Sequence, residues 1–267
     1  MPETITVVIP TFNSSLTIER ALESVVGQTR LPTEVIVIDN ASEDDTVARV
    51  RTFASKYPRI TWVIEVSPTN IGPGAARNRG WNLVTSDFIA FLDSDDSWHP
   101  EKLRLQGEIV RIFPESVIFG HTYLILRQGE VAPRDVDERR STVVDRFHLH
   151  HFLIRNRLST PTVMLRREIT QRFPIDFWYG EDYALWLKVV AAHGAAIVQQ
   201  CALTYLHKST YGESGLSANM SQMHRGEILA IELLRQTGNL GALASSLTKT
   251  WMKIKFVRRR LELAQRV

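Results

Sequence analysis

The sequence predicts an α/β fold, a mostly parallel sheet with helices on both faces. Three observations predict it. Short apolar runs recur through the first hundred residues, segments of helical length lie between them, and polar residues follow most of the runs at once. Runs apolar on successive residues suit strands covered on both faces. Strand and helix in alternation imply right-handed βαβ units and a doubly wound sheet.

Ile5–Ile9 is the first run and stops at Pro10. Val35–Ile38 is the second and stops at Asp39. Trp62–Val66 and Phe88–Leu92 are the third and fourth. Helices are expected over Leu16–Val26, behind the N-cap candidates Ser14 and Ser15, and over Thr46–Tyr57. The second of these comes after Ser42-Glu43-Asp44-Asp45, whose spacing is that of a capping box with Asp for Glu. A third helix is expected over Ala75–Val84, after a glycine-bearing loop. Beyond residue 100 the pattern loosens. Gln128–Arg140 suits a loop or exposed hairpin, Val143–Arg155 a helix, Pro161–Leu165 a strand, Asp182–His193 a helix and Ala196–Leu206 a strand. From Asn219 onward the pattern is helical, and a break is expected near Ser217.

Composition narrows the classes. The 267 residues are 44% hydrophobic and 23% charged, which suits a globular chain and excludes disorder over most of its length. The single cysteine, Cys201, allows no intrachain disulfide and fits a reducing compartment. The net charge of +3 fits a mildly basic protein and equally an affinity for phosphates or a lipid surface. No window approaches the roughly 18 apolar residues of a membrane span, and residues 1–10 lack a signal-peptide pattern. The expectation is a cytoplasmic protein with no nucleic-acid partner.

The chemistry lies after the strands, since ligands of open α/β sheets bind at the carboxyl edge. Asp93-Ser94-Asp95-Asp96 places three carboxylates in four residues behind Phe88–Leu92. Such a cluster needs a cation or hydrogen bonds to hold it, and hard divalent cations prefer oxygen. It also fits a solvated acidic turn ahead of a helix starting near Pro100. Asp39 can accept from a nucleobase or ribose, or serve as an ordinary turn residue. Asn70-Ile71-Gly72-Pro73-Gly74-Ala75-Ala76-Arg77 begins like a dinucleotide fingerprint but carries Arg77 where the third glycine belongs. That speaks against a nicotinamide enzyme. A nucleotidyltransferase would need a glycine- and lysine-rich loop where Thr11-Phe12-Asn13 stands.

Taken together and in order, Ile9-Pro10-Thr11-Phe12-Asn13, the Asp39 turn, Ala76-Arg77-Asn78, Asp93-Ser94-Asp95-Asp96 and Gly180-Glu181-Asp182-Tyr183 resemble family 2 glycosyltransferases of the GT-A, Rossmann-like fold. The likeness covers roughly residues 3 to 217. It implies an inverting, metal-dependent transferase acting on a nucleotide sugar, UDP-linked by preference, with a glycan, glycolipid or small molecule as acceptor. It implies a donor pocket of Pro10, Thr11, Phe12, Asn13, Asp39, Arg77, Asp93, Ser94 and Asp95. Asp95, and His207 in Tyr205-Leu206-His207-Lys208, would hold Mn²⁺ or Mg²⁺. Asp182 would be the catalytic base, with Glu181 as second candidate. Asn40 departs from the family, which commonly has Asp there. The chemistry agrees: a sugar hydroxyl needs a base, and a leaving diphosphate needs electrostatic stabilisation. Glu181 and Asp182 also fit simple helix capping. Phe177, Trp178 and Tyr179 suit either an acceptor sugar, for which Trp178 and Tyr179 are the candidates, or the core. A non-catalytic nucleotide-sugar-binding module is the alternative, though a binder needs no base. The domain division expected is a donor-binding half over 1–100, an acceptor-binding half over 101–217, and a helical extension over 218–267.

In that extension Leu247, Trp251, Ile254, Val257 and Leu261 recur at helical spacing and build an apolar stripe. Lys249, Lys253, Lys255 and Arg258 to Arg260 flank it. A helix of this kind suits peripheral contact with the inner face of an anionic membrane. It equally suits packing on the catalytic domain, or on a second subunit as a homo-oligomer, with the stripe buried.

Overall fold

A computed structural model describes residues 3–127, 129–207 and 219–264 of the chain. The expected alternation of strand and helix over the first hundred residues is present. Strands β1 (Ile5–Thr11), β2 (Glu34–Asp39), β3 (Thr61–Val66) and β4 (Phe88–Phe91) alternate with helices α1 (Ile18–Val26), α2 (Thr46–Ser55) and α3 (Pro73–Leu83). These four strands pair in parallel in the order β3-β2-β1-β4. A second group extends the sheet: β5 (Asp96–Trp98), β6 (Ile118–Ile125), β7 (Val144–His148), β8 (Met164–Arg166) and β9 (Ala195–Leu206). Here β6 and β9 pair in parallel, while β8, β5 and β7 pair antiparallel with their neighbours. Helices α4 (Lys102–Ile112), α5 (Glu138–Ser141), α6 (Leu149–Ile154), α7 (Glu181–His193), α8 (Met220–Gln236) and α9 (Ala242–Ala264) complete the order.

Strand alternation divides the core in two. Val8, Ile36, Ile38, Ile89 and Phe91 face one side with α7, Trp186, Ala230 of α8 and Met252 of α9. Val7, Ile9, Val35, Val37 and Phe88 face the other with Leu22 of α1, Phe53 of α2 and Leu103 of α4. Successive side chains of a strand point to opposite faces, so uninterrupted apolar runs such as Val35–Ile38 are what a sheet covered on both faces requires. β3 departs from that expectation. It is the edge strand, and its residues are half-buried or exposed.

The segment Val143–Arg155 is not one helix. Its first part is β7, which pairs with β9, and only Leu149–Ile154 is helical. Val144 and Phe147 lie three residues apart, a helical spacing, but the free edge of β9 offers backbone partners that override it. Pro161 opens no strand either. It sits in a 3₁₀ turn, Thr160–Thr162, and β8 starts only at Met164, because proline brings no N–H to a ladder. Helix starts also differ in detail. Ser14 supports α1 through its carbonyl, which accepts from Thr17 and Ile18, and Asp44 rather than Ser42 accepts from the Thr46 N–H. The expected break near Ser217 lies outside the described residues. The helices beyond it form no loose tail, since Ala230, Ile231 and Leu234 of α8 are buried in the first core.

Gly80 lets α3 lie directly on β1: a Cβ there would stand 2.5 Å from Val8 Cγ1. Gly80→Ala is expected to cost about 1–3 kcal/mol by overpacking. Calorimetric unfolding should then show a midpoint several degrees lower, and an unchanged midpoint would mean that Val8 yields freely.

Candidate active site

A cavity of about 650 Å³ opens where β1, β2 and β4 end. Pro10, Thr11, Phe12, Asn13, Arg77, Asp93, Ser94 and Asp95 line it, and so do Trp178, Tyr179, Glu181 and Asp182. Residues some 170 positions apart in the chain thus share one space. Asp39 and His207 are not on the lining.

The loops after β1 and β2 are locked together. The Asn13 N–H donates to Ser42 Oγ at 2.9 Å, and Asn13 Oδ1 accepts from the Glu43 N–H at 2.9 Å. Asn13 and Ala41 both have positive φ, 48° and 65°. Asn tolerates this region, but Ala does not favour it, and such strain concentrates at ligand sites. Asp39 lies beneath the floor with Oδ2 accepting from the Ser42 N–H at 2.9 Å. Its Oδ1 and the Oγ1 of Thr11, its register partner, are buried polar atoms without a hydrogen-bond partner. Asn40 is a clasp: its amide donates to Asn70 Oδ1 at 2.7 Å and accepts from the Ile71 N–H at 2.8 Å. Phe12 is exposed at the rim.

Arg77 joins the two halves of the site. From α3 its guanidinium donates to Asp93 Oδ1 at 2.6 Å and to Glu181 Oε1 at 2.8 Å, and its side chain is almost fully buried. Burial alone would lower the guanidinium, but Asp93 and Glu181 hold it above its ordinary value. Glu181 and Asp182 open α7 behind Gly180, whose φ of 71° sets the turn. Burial pushes the Glu181 carboxyl up to about 7, with Arg77 opposing and Asp182 reinforcing the rise. Burial raises Asp182 as well, against the Tyr183 N–H, which donates to its Oδ1 at 2.6 Å. Both carboxyls therefore hold protons more readily than free ones.

The acidic block is built into the fold. The Asp96 N–H donates to the Asp93 carbonyl, Asp96 is buried, and Ser94 Oγ meets Ser14 Oγ at 2.8 Å. His207 Nε2 pairs with Ser97 Oγ at 2.7 Å, and burial with help from Arg20 pulls its imidazole down to about 4. Among the described residues no three His, Cys, Asp or Glu side chains form a metal cage. What the chain offers a divalent cation is the Asp95 carboxylate on the cavity wall, next to Asp93, which Arg77 holds. One or two carboxylates completed by phosphate oxygens and water make an ordinary Mg²⁺ environment. The donor set thus fits a cation that arrives with a diphosphate.

Of the aromatics, Trp178 is half exposed over Gly72, while Phe177 packs against the core. Sequence reasoning missed Asn70, Ser159, Thr160 and Met223 on the lining. Thr160 Oγ1 points to Asp182 Oδ2 at 3.5 Å. Ser159-Thr160 is a polar pair before a strand and carried a weak signal. Met223 lies on α8, beyond the expected domain break, and carried none.

The sequence profile of glycosyl transferase family 2 matches residues 6–168, more than half of the chain. The chain belongs to that family. It is 27% identical over 216 residues to UDP-Glc:alpha-D-GlcNAc-diphosphoundecaprenol beta-1,3-glucosyltransferase WfgD of Escherichia coli, covering 80% of each chain. It is 30% identical over 195 residues to the amylovoran biosynthesis glycosyltransferase AmsB of Erwinia amylovora, covering 68% of this chain and 62% of AmsB. In fold it matches S. aureus TarS 1-349 in complex with UDP-GlcNAc, with a TM-score of 0.71 at 21% identity over 97% of this chain and 73% of that one. Mannosyltransferase PcManGT of Pyrobaculum calidifontis, in complex with GDP-Man and Mn²⁺, matches with a TM-score of 0.65 at 18% identity over 95% and 74% of the two chains. The protein is thus a family 2 glycosyltransferase with the GT-A fold and a helical C-terminal part. Among the described residues no helix is long and apolar enough to cross a membrane.

Removing the shared cation should expose its role. Arg77→Met leaves Asp93 and Glu181 without a partner and is expected to cost about 3–5 kcal/mol at pH 8. The folded Glu181 carboxyl, at about 7, already sits above its ordinary 4.5, and without Arg77 it rises further. A raised carboxyl favours the folded state below its unfolded value and loses that advantage as pH climbs through the folded value. The deficit relative to wild type should therefore shrink at pH 5.5. Urea unfolding at both pH values measures it, and a deficit independent of pH would show that Glu181 stays ionised.

Proposed function

We propose that this glycosyltransferase moves a sugar from a nucleoside-diphosphate sugar, UDP-linked by preference, to a hydroxyl of a glycan or glycolipid, with inversion at the anomeric carbon. The observation that carries the reading is one cavity with strand-end carboxylates, Asp93 and Asp95, and a buried carboxyl pair, Glu181 and Asp182, in its wall. The donor preference rests on WfgD, whose name specifies UDP-Glc, and on the TarS complex with UDP-GlcNAc. The acceptor class rests on WfgD and AmsB, named for a diphosphoundecaprenol-linked sugar and for amylovoran.

In this reading residues 1–100 hold the donor and 101–217 the acceptor, with Met223 added from the extension 218–267. Pro10, Thr11, Phe12 and Asn13 border the nucleoside, and Asp39 backs them from beneath the floor, where its carboxylate holds the Ser42 N–H. Asp93, fixed by Arg77, and Ser94 border the ribose and sugar. Asp95 would hold Mn²⁺ or Mg²⁺, with His207 near it as a neutral ring. Bound there, the cation would neutralise the charge of the departing diphosphate. Asp182 takes the proton of the acceptor hydroxyl as its oxygen bonds to the anomeric carbon. The bond to the diphosphate oxygen breaks in the same displacement, and its electron pair leaves with the diphosphate. Glu181 keeps Arg77 and the base in register, and Trp178 and Tyr179 offer faces to the acceptor sugar.

Asp182→Asn keeps the shape and loses the basicity. Transfer should fall by roughly 10²–10⁴-fold, while donor binding measured by calorimetry stays within error. Because burial raises Asp182, wild-type kcat/KM should climb with pH along an acid limb displaced upward from the ordinary carboxylate range and level off above it. An acid limb near 4 would remove Asp182 from the role, and a dead Glu181→Gln beside an active Asp182→Asn would reverse the two.

Excess EDTA should abolish transfer, and Mn²⁺ should restore it. Asp95→Ala should lose both turnover and Mn²⁺-dependent donor binding without a change in melting temperature. Normal turnover in either experiment would exclude the metal role.

A further inference from the structure

Helix α9 is two-faced in a way that its own chain does not explain. Its inner face is packed: Ser245 and Met252 are buried, and the Phe256 ring stacks on His224 of α8 with centroids 4.4 Å apart. At 3.6 residues per turn, Leu247, Ile254 and Leu261 fall on the side opposite Met252. All three are more than half exposed, as is Leu243 at 75%, and Trp251 and Val257 extend the same strip. The apolar stripe is therefore not what holds α9 to the molecule. Among the described residues nothing covers it. Ile154, itself half exposed, continues the strip, since its carbonyl accepts from both Trp251 Nε1 and Lys255 Nζ, at 3.0 and 3.1 Å.

Charge decides what fits this face. Between Ala242 and Ala264 stand six basic residues and one acidic, Glu262, which is paired with Arg258. Lys253 and Arg260 border one side of the stripe and Lys255 the other. A second copy meeting this face through a two-fold axis would set basic border against basic border. An anionic lipid surface reverses that sign, and exposed aliphatic and Trp side chains between cationic borders are what an interfacial helix inserts.

We infer that α9 docks the protein on an anionic membrane, with Leu247, Trp251, Ile254 and Leu261 in the headgroup boundary and the basic borders on lipid phosphates. The inference needs only binding, and it stands apart from the reaction assigned to the cavity. Its consequence is positional. α9 packs on α8, which carries Met223 on the cavity wall, so the lipid surface lies about one helix spacing, ~10 Å, beyond that wall. An acceptor on a lipid carrier would be presented on that side.

Flotation of the full chain with vesicles decides it. At low salt the protein should float with vesicles rich in phosphatidylglycerol, not with pure phosphatidylcholine, and should be released by high salt. Leu247→Glu with Ile254→Glu should abolish flotation. Lys253→Gln with Arg260→Gln should weaken partitioning about 25-fold, near fivefold per charge. These side chains are exposed, so the melting temperature should not move, and light scattering should report a monomer. Wild type that stays unbound at low salt, or binds both vesicles equally, overturns the inference. So does a dimer in solution that Ile254→Glu dissociates.

Discussion

The site depends on a single buried cation. Arg77 is held between Asp93, at the end of β4, and Glu181, at the start of α7. A buried ion pair is seldom a net source of stability, because desolvation consumes most of the Coulombic gain. Its value here is positional. A buried carboxylate, Glu181, and a partly buried one, Asp93, from segments 88 residues apart are drawn to one wall of the cavity by the cation that stands between them. The guanidinium, planar and permanently charged, serves both with separate N–H groups, which a lysine ammonium on a flexible stem would not reproduce.

Around that grip the backbone comes unusually close to itself. A Cβ on Gly74 would meet Glu181 at 3.0 Å, and one on Gly226 would stand 2.1 Å from the Tyr179 carbonyl. Helices α3 and α8 thus clamp the turn that carries Trp178, Tyr179 and Gly180, and α8 becomes a wall of the cavity. Asn40 contributes in the same manner between the turns that follow β2 and β3. It donates to Asn70 and accepts from Ile71 at once, a double role that an ionised carboxylate cannot fill. The aspartate common at that position in family 2 would lose the donor. The departure seen in the sequence therefore has a local structural reason.

The first part of the sheet was legible because β1, β2 and β4 are buried on both faces and carry near-continuous apolar runs, and because polar residues follow those runs at the sheet edge. The ordered motifs likewise located most of the lining. Legibility failed where tertiary pairing chose the structure. Val144–His148 became a strand for the sake of the β9 edge, and Met223 reached the cavity through packing that no local pattern encodes. The apolar stripe of α9 was visible as a period, but which face packed was not. Thr248 and Met252, few and partly polar, hold the helix, while the more apolar side is left outward.

The carboxyl pair also shows why position within a helix does not decide a residue's role. Glu181 and Asp182 sit where acids stabilise a helix through its dipole, and capping alone would lower their pKa values. That effect is worth roughly 0.3–1 kcal/mol at an exposed terminus. A carboxyl moved from 4.5 to about 7 has been shifted the other way and by more, since each step of one in pKa is about 1.4 kcal/mol. Burial therefore outweighs the dipole, even with Arg77 pulling downward. A cap placed for helix stability would stay exposed and acidic. A carboxyl pair raised by burial, in the wall of a cavity with Asp93 and Asp95, is instead what a functional site displays, and the proposed role of Asp182 as base draws on that raised basicity.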